Sequence, residues 1–301
     1  MKPVIIGSRG SALALAQTRL VMAELKKKWP GRNFEIHVIK TEGDRRAELP
    51  PAQDEELGKG LFTGELEQAL LKGDIEMAVH SLKDLPTTGA DGLMLAAIPK
   101  RANAQDVLIT RGADLKEELP YGAVVATGSP RRAAQLRLIR SDLQTAEIRG
   151  NIDTRLRKFR ETQEWSALLL AAAGIERLKP DLKGLTATLL PFSQMLPAPG
   201  QGALAIQTLK ENAEDIRKLA GALHHAETAA AVEAERMFLH ALGGGCREPI
   251  AAYAEVLPDK MLKLEGIAWL IGEAKERRGE LIRRLDQPEV LGVDLAVEIT
   301  R

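Results

Sequence analysis

Residues 124–140 read VVATGSPRRAAQLRLIR, and this stretch decides the fold class. Its apolar start predicts a short buried strand, which leads into a turn at residues 127–129. A helix is expected to begin at Pro130, because the Ser129 side chain can cap the first turn and proline lacks an N–H group that would stay unpaired there. A strand that leads through a tight turn into a helix is the repeating unit of an α/β fold.

The same alternation extends through the first two thirds of the chain. Strands at residues 145–148 and 167–172 flank a helix at residues 152–162. Nearer the N-terminus, a helix at residues 64–72 precedes a strand at residues 75–80. This order predicts mostly parallel sheets covered by helices on both faces.

The last third of the chain follows a different pattern. The turn-rich stretch LPAPGQG at residues 196–202 is a candidate hinge. Beyond it, a helix is followed by three strands and a final helix, which indicates a separate small α+β domain; these elements are expected at residues 227–242, 250–256, 261–269, 280–285 and 288–299.

The composition excludes several classes of protein. Among 301 residues, 42 basic side chains balance 42 acidic ones and aromatic residues make up 3%, which argues against nucleic-acid binding through bulk charge or base stacking. The single cysteine rules out an internal disulfide and a cysteine-based structural zinc site, and it fits a reducing compartment. The longest apolar run, residues 167–175, is about half the ~20 residues that a membrane span needs. We therefore expect a cytoplasmic protein with no nucleic-acid, membrane or metal partner.

Arginines are concentrated at turns that open helices. Between residues 126 and 160, eight Arg and one Lys stand against two Asp and one Glu, so that 9 − 3 = +6. Free N–H groups at a helix start bind anions, and the arginine fork suits carboxylates or phosphates. The turn arginines therefore predict a small ligand with several negative charges; they are Arg9, Arg131, Arg132, Arg149 and Arg155. The alternative, solvated helix faces, fits Arg137, Arg140, Arg157 and Arg160 better.

Two further segments leave their chemistry open when taken alone. The turn HSLKDLP at residues 80–86 contains Asp84, which can pair with a cationic group, move protons or simply stay solvated. His80 ends an apolar strand and is interpreted as a partly buried histidine. In GGGCR, at residues 243–247, Arg247 favours the reactive thiolate of Cys246, but a lone cysteine is also a common small core residue. A non-catalytic anion-binding protein with two lobes and a cysteine-dependent acyl-transfer enzyme both remain possible at this point.

Eight motifs, in this order, resemble those of the hydroxymethylbilane synthase (porphobilinogen deaminase) family. They are RGSALALAQ at 9–17, TEGD at 41–44, GKGLF at 58–62, HSLKDLP at 80–86, SPRR at 129–132, RGNIDTR at 149–155, PAPGQGA at 197–203 and GGCREPI at 244–250. The resemblance implies a transferase that joins four porphobilinogen molecules head to tail, releases ammonia each time, and frees hydroxymethylbilane by hydrolysis. It also implies a dipyrromethane cofactor held by a thioether to Cys246. Since each porphobilinogen carries an acetate and a propionate, the growing chain is a polyanion, which accounts for the arginines.

The resemblance also assigns roles to residues. Asp84 matches the catalytic aspartate of the family. The side chains implied to hold the cofactor, besides Cys246 and Asp84, are Ser81, Lys83, Thr127, Ser129, Arg131, Arg132 and Arg155. Those implied to contact the substrate or the growing chain are Arg9, Ser11, Phe62, Arg149, Arg155, Arg177 and Gln201.

The implied fold has two βα domains like those of periplasmic binding proteins, with mostly parallel sheets, and a small C-terminal α+β domain that anchors the cofactor. The first domain is expected at residues 1–100 and 200–220, the second at 101–199 and the third at 221–301, in a monomer. Residues 47–57 are expected to form a lid that pivots at Gly58 and Gly60. The chain departs from the common family pattern at several positions, among them Gly128, where serine is frequent.

Overall fold

The computed structural model of the chain describes residues 2–39, 64–111, 119–211, 214–244, 248–270 and 275–301. The chain divides into two compact units. The first unit comprises Met1–Ala102 and Ala203–Ala229, and the second comprises Asn103–Gly202 and Ala230–Arg301. The chain returns to the first unit directly after the turn-rich stretch that was expected to be a hinge. The division into three domains stays a prediction.

Thirteen strands and eight helices lie within the described residues. The strands are β1 (Val4–Arg9), β2 (Phe34–Ile39), β3 (Met77–Ser81), β4 (Leu93–Ala97), β5 (Asp106–Thr110), β6 (Val124–Ala126), β7 (Gln144–Ala146), β8 (Trp165–Ala171), β9 (Thr186–Leu189), β10 (Leu204–Leu209), β11 (Ile250–Leu257), β12 (Met261–Ala268) and β13 (Arg277–Arg284). The helices are α1 (Ala12–Lys28), α2 (Gly64–Lys72), α3 (Pro130–Ile139), α4 (Ile152–Glu161), α5 (Ala172–Leu178), α6 (Glu214–Gly221), α7 (Ala226–Ala241) and α8 (Pro288–Thr300).

The first unit is built on a five-stranded sheet in the order β2-β1-β3-β10-β4. Strands β1, β2 and β3 are parallel, and β10 runs antiparallel to both β3 and β4. Apolar residues of α1 and α6, such as Leu25 and Leu219, pack with Ile6 and Ile206 of the sheet. Leu66 and Leu70 of α2 belong to a separate cluster. Two apolar clusters thus bury this sheet, as a parallel α/β layer requires.

The second unit repeats this design with the order β7-β6-β8-β5-β9. Strands β6, β7 and β8 are parallel, and β5 is the reversed strand, antiparallel to β8 and β9. Leu136 of α3 packs in one cluster with Leu169, while Leu156 and Phe159 of α4 pack in another with Leu168. Successive residues of β8 point to opposite faces, so helices cover both faces of this sheet.

The C-terminal part of the second unit is an antiparallel sheet, β11-β12-β13, packed with α7 and α8. Its apolar centre includes Phe238 of α7, Leu264 of β12 and Leu295 of α8. Helices α7 and α8 approach closely at Gly292, where an added Cβ would lie 2.4 Å from the carbonyl oxygen of Ala234.

The architecture confirms the expected fold class, with two mostly parallel βα sheets and a small α+β part. Three elements were not expected from the sequence, namely α5, β9 and α6. In the parts of the chain that the structure describes, none of the helices has the length and apolar character of a membrane span.

Candidate functional site

A pocket in the first unit collects side chains from the ends of two parallel strands. Arg9 ends β1, Ser81 ends β3, and Asp84 lies in the 3-10 turn that follows it. With Ser11, they line a small open pocket of about 50 Å³; its other lining residues are Leu13, Ala14, Gln17, Val79 and His80. Ligands bind at this edge of parallel sheets because the turns there present side chains and free N–H groups together. We call this cavity the first-unit pocket.

The start of α1 forms one wall of the first-unit pocket. The Ser11 side chain accepts a hydrogen bond from the Ala14 N–H at 3.3 Å, which confirms the expected helix cap. Beneath it, the buried Thr18 hydroxyl bonds to the Ser8 hydroxyl at 2.9 Å and fixes the turn between β1 and α1. The positive end of the helix dipole and the half-buried Arg9 therefore both favour an anion in this pocket.

The turn after β3 carries the carboxylate of Asp84, and hydrogen bonds and burial hold its backbone in place. Leu82 is fully buried, and its carbonyl accepts the Leu85 N–H at 3.1 Å. Asp84 is exposed and Lys83 is half-buried. His80 lies just before the turn and is more deeply buried than expected, and its Nε2 has no hydrogen-bond partner among the described residues. Burial lowers the pKa of His80 to about 4, opposed by a hydrogen bond to Gln207 and reinforced by the charge of Arg9, so the imidazole is neutral near pH 7.

In the second unit, the turn between β6 and α3 carries two hydroxyls and two buried arginines. Ser129 caps α3 by accepting the Arg132 N–H, and the Thr127 hydroxyl accepts the Ser129 N–H at 3.2 Å. Arg131 and Arg132 are only 4% and 5% exposed. Their guanidinium groups also donate to the backbone carbonyls of Leu196 and Leu169.

Both arginines converge on Asp106, which is completely buried. Arg132 donates to Oδ1 at 2.8 Å, and Arg131 Nη1 lies 2.8 Å from Oδ2 as an ion pair that is not aligned for a hydrogen bond. Gln201 donates to the same carboxylate at 2.8 Å and to the carbonyl of Ala104 at 2.7 Å. Burial alone would raise the pKa of Asp106, but the charges of Arg131 and Arg132 outweigh it and hold the pKa well below its usual range.

A second turn of this unit, between β7 and α4, carries Arg149 and Arg155. Asn151 caps α4 by accepting the Thr154 N–H at 2.9 Å. Gly150 has φ of 115°, in the region that favours glycine. Arg149 is paired with the exposed Glu147, and Arg155 Nε donates to the Gly150 carbonyl at 2.7 Å.

The two turns of the second unit also touch each other. A Cβ added to Gly128 would lie 2.6 Å from the carbonyl oxygen of Ile148, so this backbone contact leaves no room for a side chain. Arg177 donates to the Gly202 carbonyl at 2.7 Å, and burial lowers the pKa of its guanidinium. Away from these turns, Arg157 is exposed and pairs with Glu161, as the solvated-face interpretation expects. Arg140 is half-buried; it pairs with Asp142 and also donates to the carbonyls of Leu119 and Pro120, so it holds a loop instead of lining a solvated face.

Comparison with protein families places these turns in a known group. A porphobilinogen deaminase model described as the dipyromethane cofactor binding domain matches residues 4–217, and the C-terminal domain model of the same family matches residues 229–301. The chain belongs to the porphobilinogen deaminase family.

Relatives of this deaminase family resemble the chain along nearly its whole length. The porphobilinogen deaminase of Thermus thermophilus is 43% identical over 299 residues, which cover 99% of this chain and 96% of the relative. That of Desulforudis audaxviator is 44% identical over 301 residues, covering 99% and 94%. Among solved structures, the effector binding domain of a BenM variant aligns with 78% of this chain and 95% of its own at 12% identity. Its TM-score of 0.42 is too low to support a functional argument.

The deaminase family uses a dipyrromethane cofactor, and the second-unit arginines fit such a polyanion. Two guanidinium groups share one carboxylate, and the structure describes no other carboxylate in contact with them, so one positive charge is left over. The Nε atoms of Arg131 and Arg132 are buried and have no hydrogen-bond partner among the described residues. Buried donors of this kind are costly unless something accepts from them, and a cofactor carboxylate supplies such an acceptor.

The residues implied by the family resemblance fall into three sets. Arg9, Ser11, Ser81 and Asp84 share the first-unit pocket, with Lys83 beside them. Arg131, Arg132 and Gln201 contact Asp106, and Thr127 and Ser129 lie in the same turn as the two arginines. Arg149, Arg155 and Arg177 contact backbone or carboxylate groups elsewhere in the second unit. Phe62, Cys246, the 47–57 segment, Gly58 and Gly60 lie outside the described residues.

Sequence reasoning missed Asp106 and Gln17 as parts of this deaminase site. The signal for Asp106 was available, because it begins a five-residue strand, DVLIT, that is otherwise apolar apart from its last residue. A carboxylate at the start of a buried strand needs a partner. The partner lies 25 residues away in the sequence, at Arg131, and no local pattern connects the two.

Proposed function

We propose that this member of the porphobilinogen deaminase family is a hydroxymethylbilane synthase, a transferase of tetrapyrrole biosynthesis, and that Asp84 is its catalytic carboxylate. It joins four porphobilinogen molecules head to tail with release of ammonia and then frees the product by hydrolysis. The observation that carries the proposal is the first-unit pocket. There the exposed Asp84 lines the same cavity as Arg9 and as Ser11, the residue that caps the start of α1.

Asp84 supplies a negative charge where positive charge develops. As ammonia leaves porphobilinogen, the remaining pyrrole becomes cationic, and condensation produces another cationic pyrrole. The arginines that bind the carboxylates would repel this charge. A fixed carboxylate stabilises it, because a preorganised charge needs no rearrangement during the reaction. Asp84 can also accept and return protons.

The buried arginine turn is proposed to hold the cofactor. When bound through a thioether to Cys246, dipyrromethane supplies the pyrrole end that receives the first substrate unit. Its carboxylates are proposed to accept from the second-unit turns and from the turn after β3; the donors are Thr127, Ser129, Arg131, Arg132, Arg155, Ser81 and Lys83. The unpartnered Nε–H groups of the buried arginine pair support this assignment.

The remaining arginines and their neighbours are proposed to bind the substrate and the growing chain. They are Arg9, Ser11, Phe62, Arg149, Arg155, Arg177 and Gln201. Arg149 is held by the exposed Glu147, so a substrate carboxylate would replace an acidic side chain there. Gln201 is a buried member of this set, and it also donates a hydrogen bond to Asp106, the carboxylate that Arg131 and Arg132 share. We further propose a cytoplasmic monomer with the three domains expected from the sequence.

Intact mass of the denatured protein tests the proposed function. The wild-type chain should carry the added mass of two porphobilinogen-derived pyrroles, and the Cys246→Ser variant should not. If the wild-type mass is that of the bare polypeptide, porphobilinogen is added. If the mass still does not rise, the deaminase proposal is wrong and a non-catalytic anion-binding protein becomes the better explanation.

The role of Asp84 is tested separately. Asp84→Asn should keep the fold and lower kcat at least about 100-fold, the scale expected for a charge that stabilises a transition state. Asp91→Asn, at another exposed aspartate of the first unit outside the pocket lining, is the matched control and should keep its rate. A near-normal rate in Asp84→Asn would remove Asp84 from the mechanism.

A further inference from the structure

Gln17 is a buried polar side chain in the first-unit pocket. It lies in the second turn of α1 and is only 4% exposed. It lines the pocket together with Arg9, Ser81 and Asp84. A buried amide needs hydrogen-bond partners, and the partners it has indicate what it does.

The Gln17 amide is directed at the Ser81 hydroxyl. Its Nε2 lies 2.8 Å from Ser81 Oγ, and its Oε1 lies 3.2 Å from the same atom. An amide offers two N–H donors and one acceptor oxygen, whereas a hydroxyl has a single hydrogen. Within the described part of the chain, the Gln17 side chain has no hydrogen-bond partner except Ser81.

The shorter contact uses an acceptor lone pair of Ser81 Oγ and leaves the hydroxyl hydrogen a choice between Gln17 Oε1 at 3.2 Å and a third group. When the Gln17 N–H donates to Oγ, the hydroxyl hydrogen of Ser81 can be given to a third group. A carboxylate in the pocket attracts that hydrogen more strongly than the neutral amide oxygen at 3.2 Å does, because hydrogen bonds to charged acceptors are stronger. The helix start at Ser11 and the charge of Arg9 favour a carboxylate in the same pocket.

We infer that Gln17 is a positioning residue that presents the Ser81 hydroxyl hydrogen to a carboxylate of the pyrrole ligand. The inference rests on the proposed function and adds to it what the Gln17–Ser81 pair recognises, namely an acetate or propionate group. The pair joins α1 to the end of β3, two elements that the sheet holds in place, so the hydroxyl is preorganised before the ligand arrives.

Ligand binding without turnover provides the direct test. In the Cys246→Ser background the chain has no site for the covalent cofactor, so the Kd for porphobilinogen is measured by calorimetry. Gln17→Met should raise this Kd roughly tenfold, the scale of one hydrogen bond to a charged acceptor. Ser81→Ala should raise it by a similar factor. The double variant should be no worse than Ser81→Ala alone, because Gln17 acts through Ser81.

A matched control separates positioning from simple stability. Thr228 is another buried polar residue of the first unit; its hydroxyl accepts the Arg101 N–H at 3.2 Å, and it is absent from the pocket lining. Thr228→Val should lower the urea midpoint and leave the Kd unchanged.

An acidic substitution gives a signature that a structural role would not produce. In Gln17→Glu the new carboxylate can only accept, so it takes the Ser81 hydrogen away from the ligand and also repels the ligand. The affinity defect should therefore shrink as the pH falls and the introduced carboxyl gains a proton. Gln17→Met should show no such recovery relative to wild type.

Two outcomes overturn the inference. If Gln17→Met raises the Kd by the same factor in the Ser81→Ala variant as in the protein that keeps Ser81, Gln17 does not act through Ser81. If the acidic variant shows no recovery at low pH, hydrogen donation is not what was lost. Failure of the proposed function gives a different result. The wild-type chain would then carry no pyrrole mass and would gain none when porphobilinogen is added, and this result would overturn both the proposed function and the inference about Gln17.

Discussion

Replacing Asp106 with asparagine removes the carboxylate that Arg131 and Arg132 share. In the native protein this carboxylate is completely buried and lies 2.8 Å from each guanidinium. The variant keeps two buried cations side by side with no counter-charge from this position. Removing one partner of a buried ion pair costs about 3–5 kcal/mol, so the free energy of unfolding of the second unit should fall by about that amount at pH 7.

Urea unfolding followed by the fluorescence of Trp165 and Trp269, which both belong to the second unit, measures this loss. Glu161→Gln is the matched control, because it removes a carboxylate from an exposed ion pair with Arg157 on α4 and should cost about 0.5 kcal/mol. Equal effects of the two variants would refute the argument that burial makes the Asp106 pair different.

The pH dependence of the Asp106→Asn variant checks the same reasoning independently. The pKa of Asp106 is held below its usual range in the folded protein, so its stabilisation is complete above the unfolded value of about 3.9 and is lost as the pH falls below it. The difference in unfolding free energy between wild type and variant should therefore be constant at neutral pH and shrink in acid. A difference that stays constant down to about pH 2 would contradict a charge-based role.

Three further substitutions test other parts of the fold. Gly150→Ala should cost about 1–3 kcal/mol by urea unfolding, because φ is 115° and the new Cβ would lie 2.7 Å from Thr154 Cγ2. Gly292→Ala should lower the Tm measured by calorimetry, because the new methyl group forces α7 and α8 apart. Gly221→Ala is the control and should leave the Tm unchanged, because a Cβ there meets no atom within 4 Å. Equal Tm shifts in the two variants would show that the close helix contact does not matter. The wild-type protein should lose stability as the pH falls from about 6.5 to about 4, because the unfolded chain takes up a proton there that the buried His80 imidazole does not. His80→Gln should reduce this loss. Parallel stability profiles against pH in the two proteins would show that His80 does not cause the loss.

Local signals predicted most of the elements that carry the site. The helix at residues 64–72 has the expected bounds, and α3 begins at Pro130 behind the Ser129 cap. Where such signals are missing, the elements were missed. Helix α5 follows β8 without a capping side chain at Ala171, so its apolar residues read as a continuation of the strand. Strand β9 has only four residues, and its half-buried positions are the two threonines while Ala187 and Leu189 are exposed, so its apolar residues do not mark the inner face.

Long-range pairing was beyond the reach of sequence pattern. The sequence indicated that Arg131 and Arg132 bind an anion, but not that they form ion pairs with Asp106. Those ion pairs depend on β5, which carries Asp106, running antiparallel to β8. In the same way, Gln17 and Ser81 were both quoted within motifs, yet their contact joins residues 64 positions apart. The spacing of apolar residues predicts which face of a helix or strand is buried. It does not predict which residue from a distant part of the sequence packs against that face.

The insertion of β10 between β3 and β4 has a consequence for how the chain is made. On the ribosome, β4 is complete at residue 97, but β10, its one partner strand among the described residues, begins at residue 204. At typical synthesis rates that gap lasts roughly 5–20 s, during which β3 presents an open edge to other nascent chains. The turn that carries Asp84 waits as well, because the Leu82 N–H donates to the carbonyl of Ala203 at 3.0 Å. A truncated translation product that ends before residue 203 therefore lacks the hydrogen bond that holds the turn with Asp84 in place.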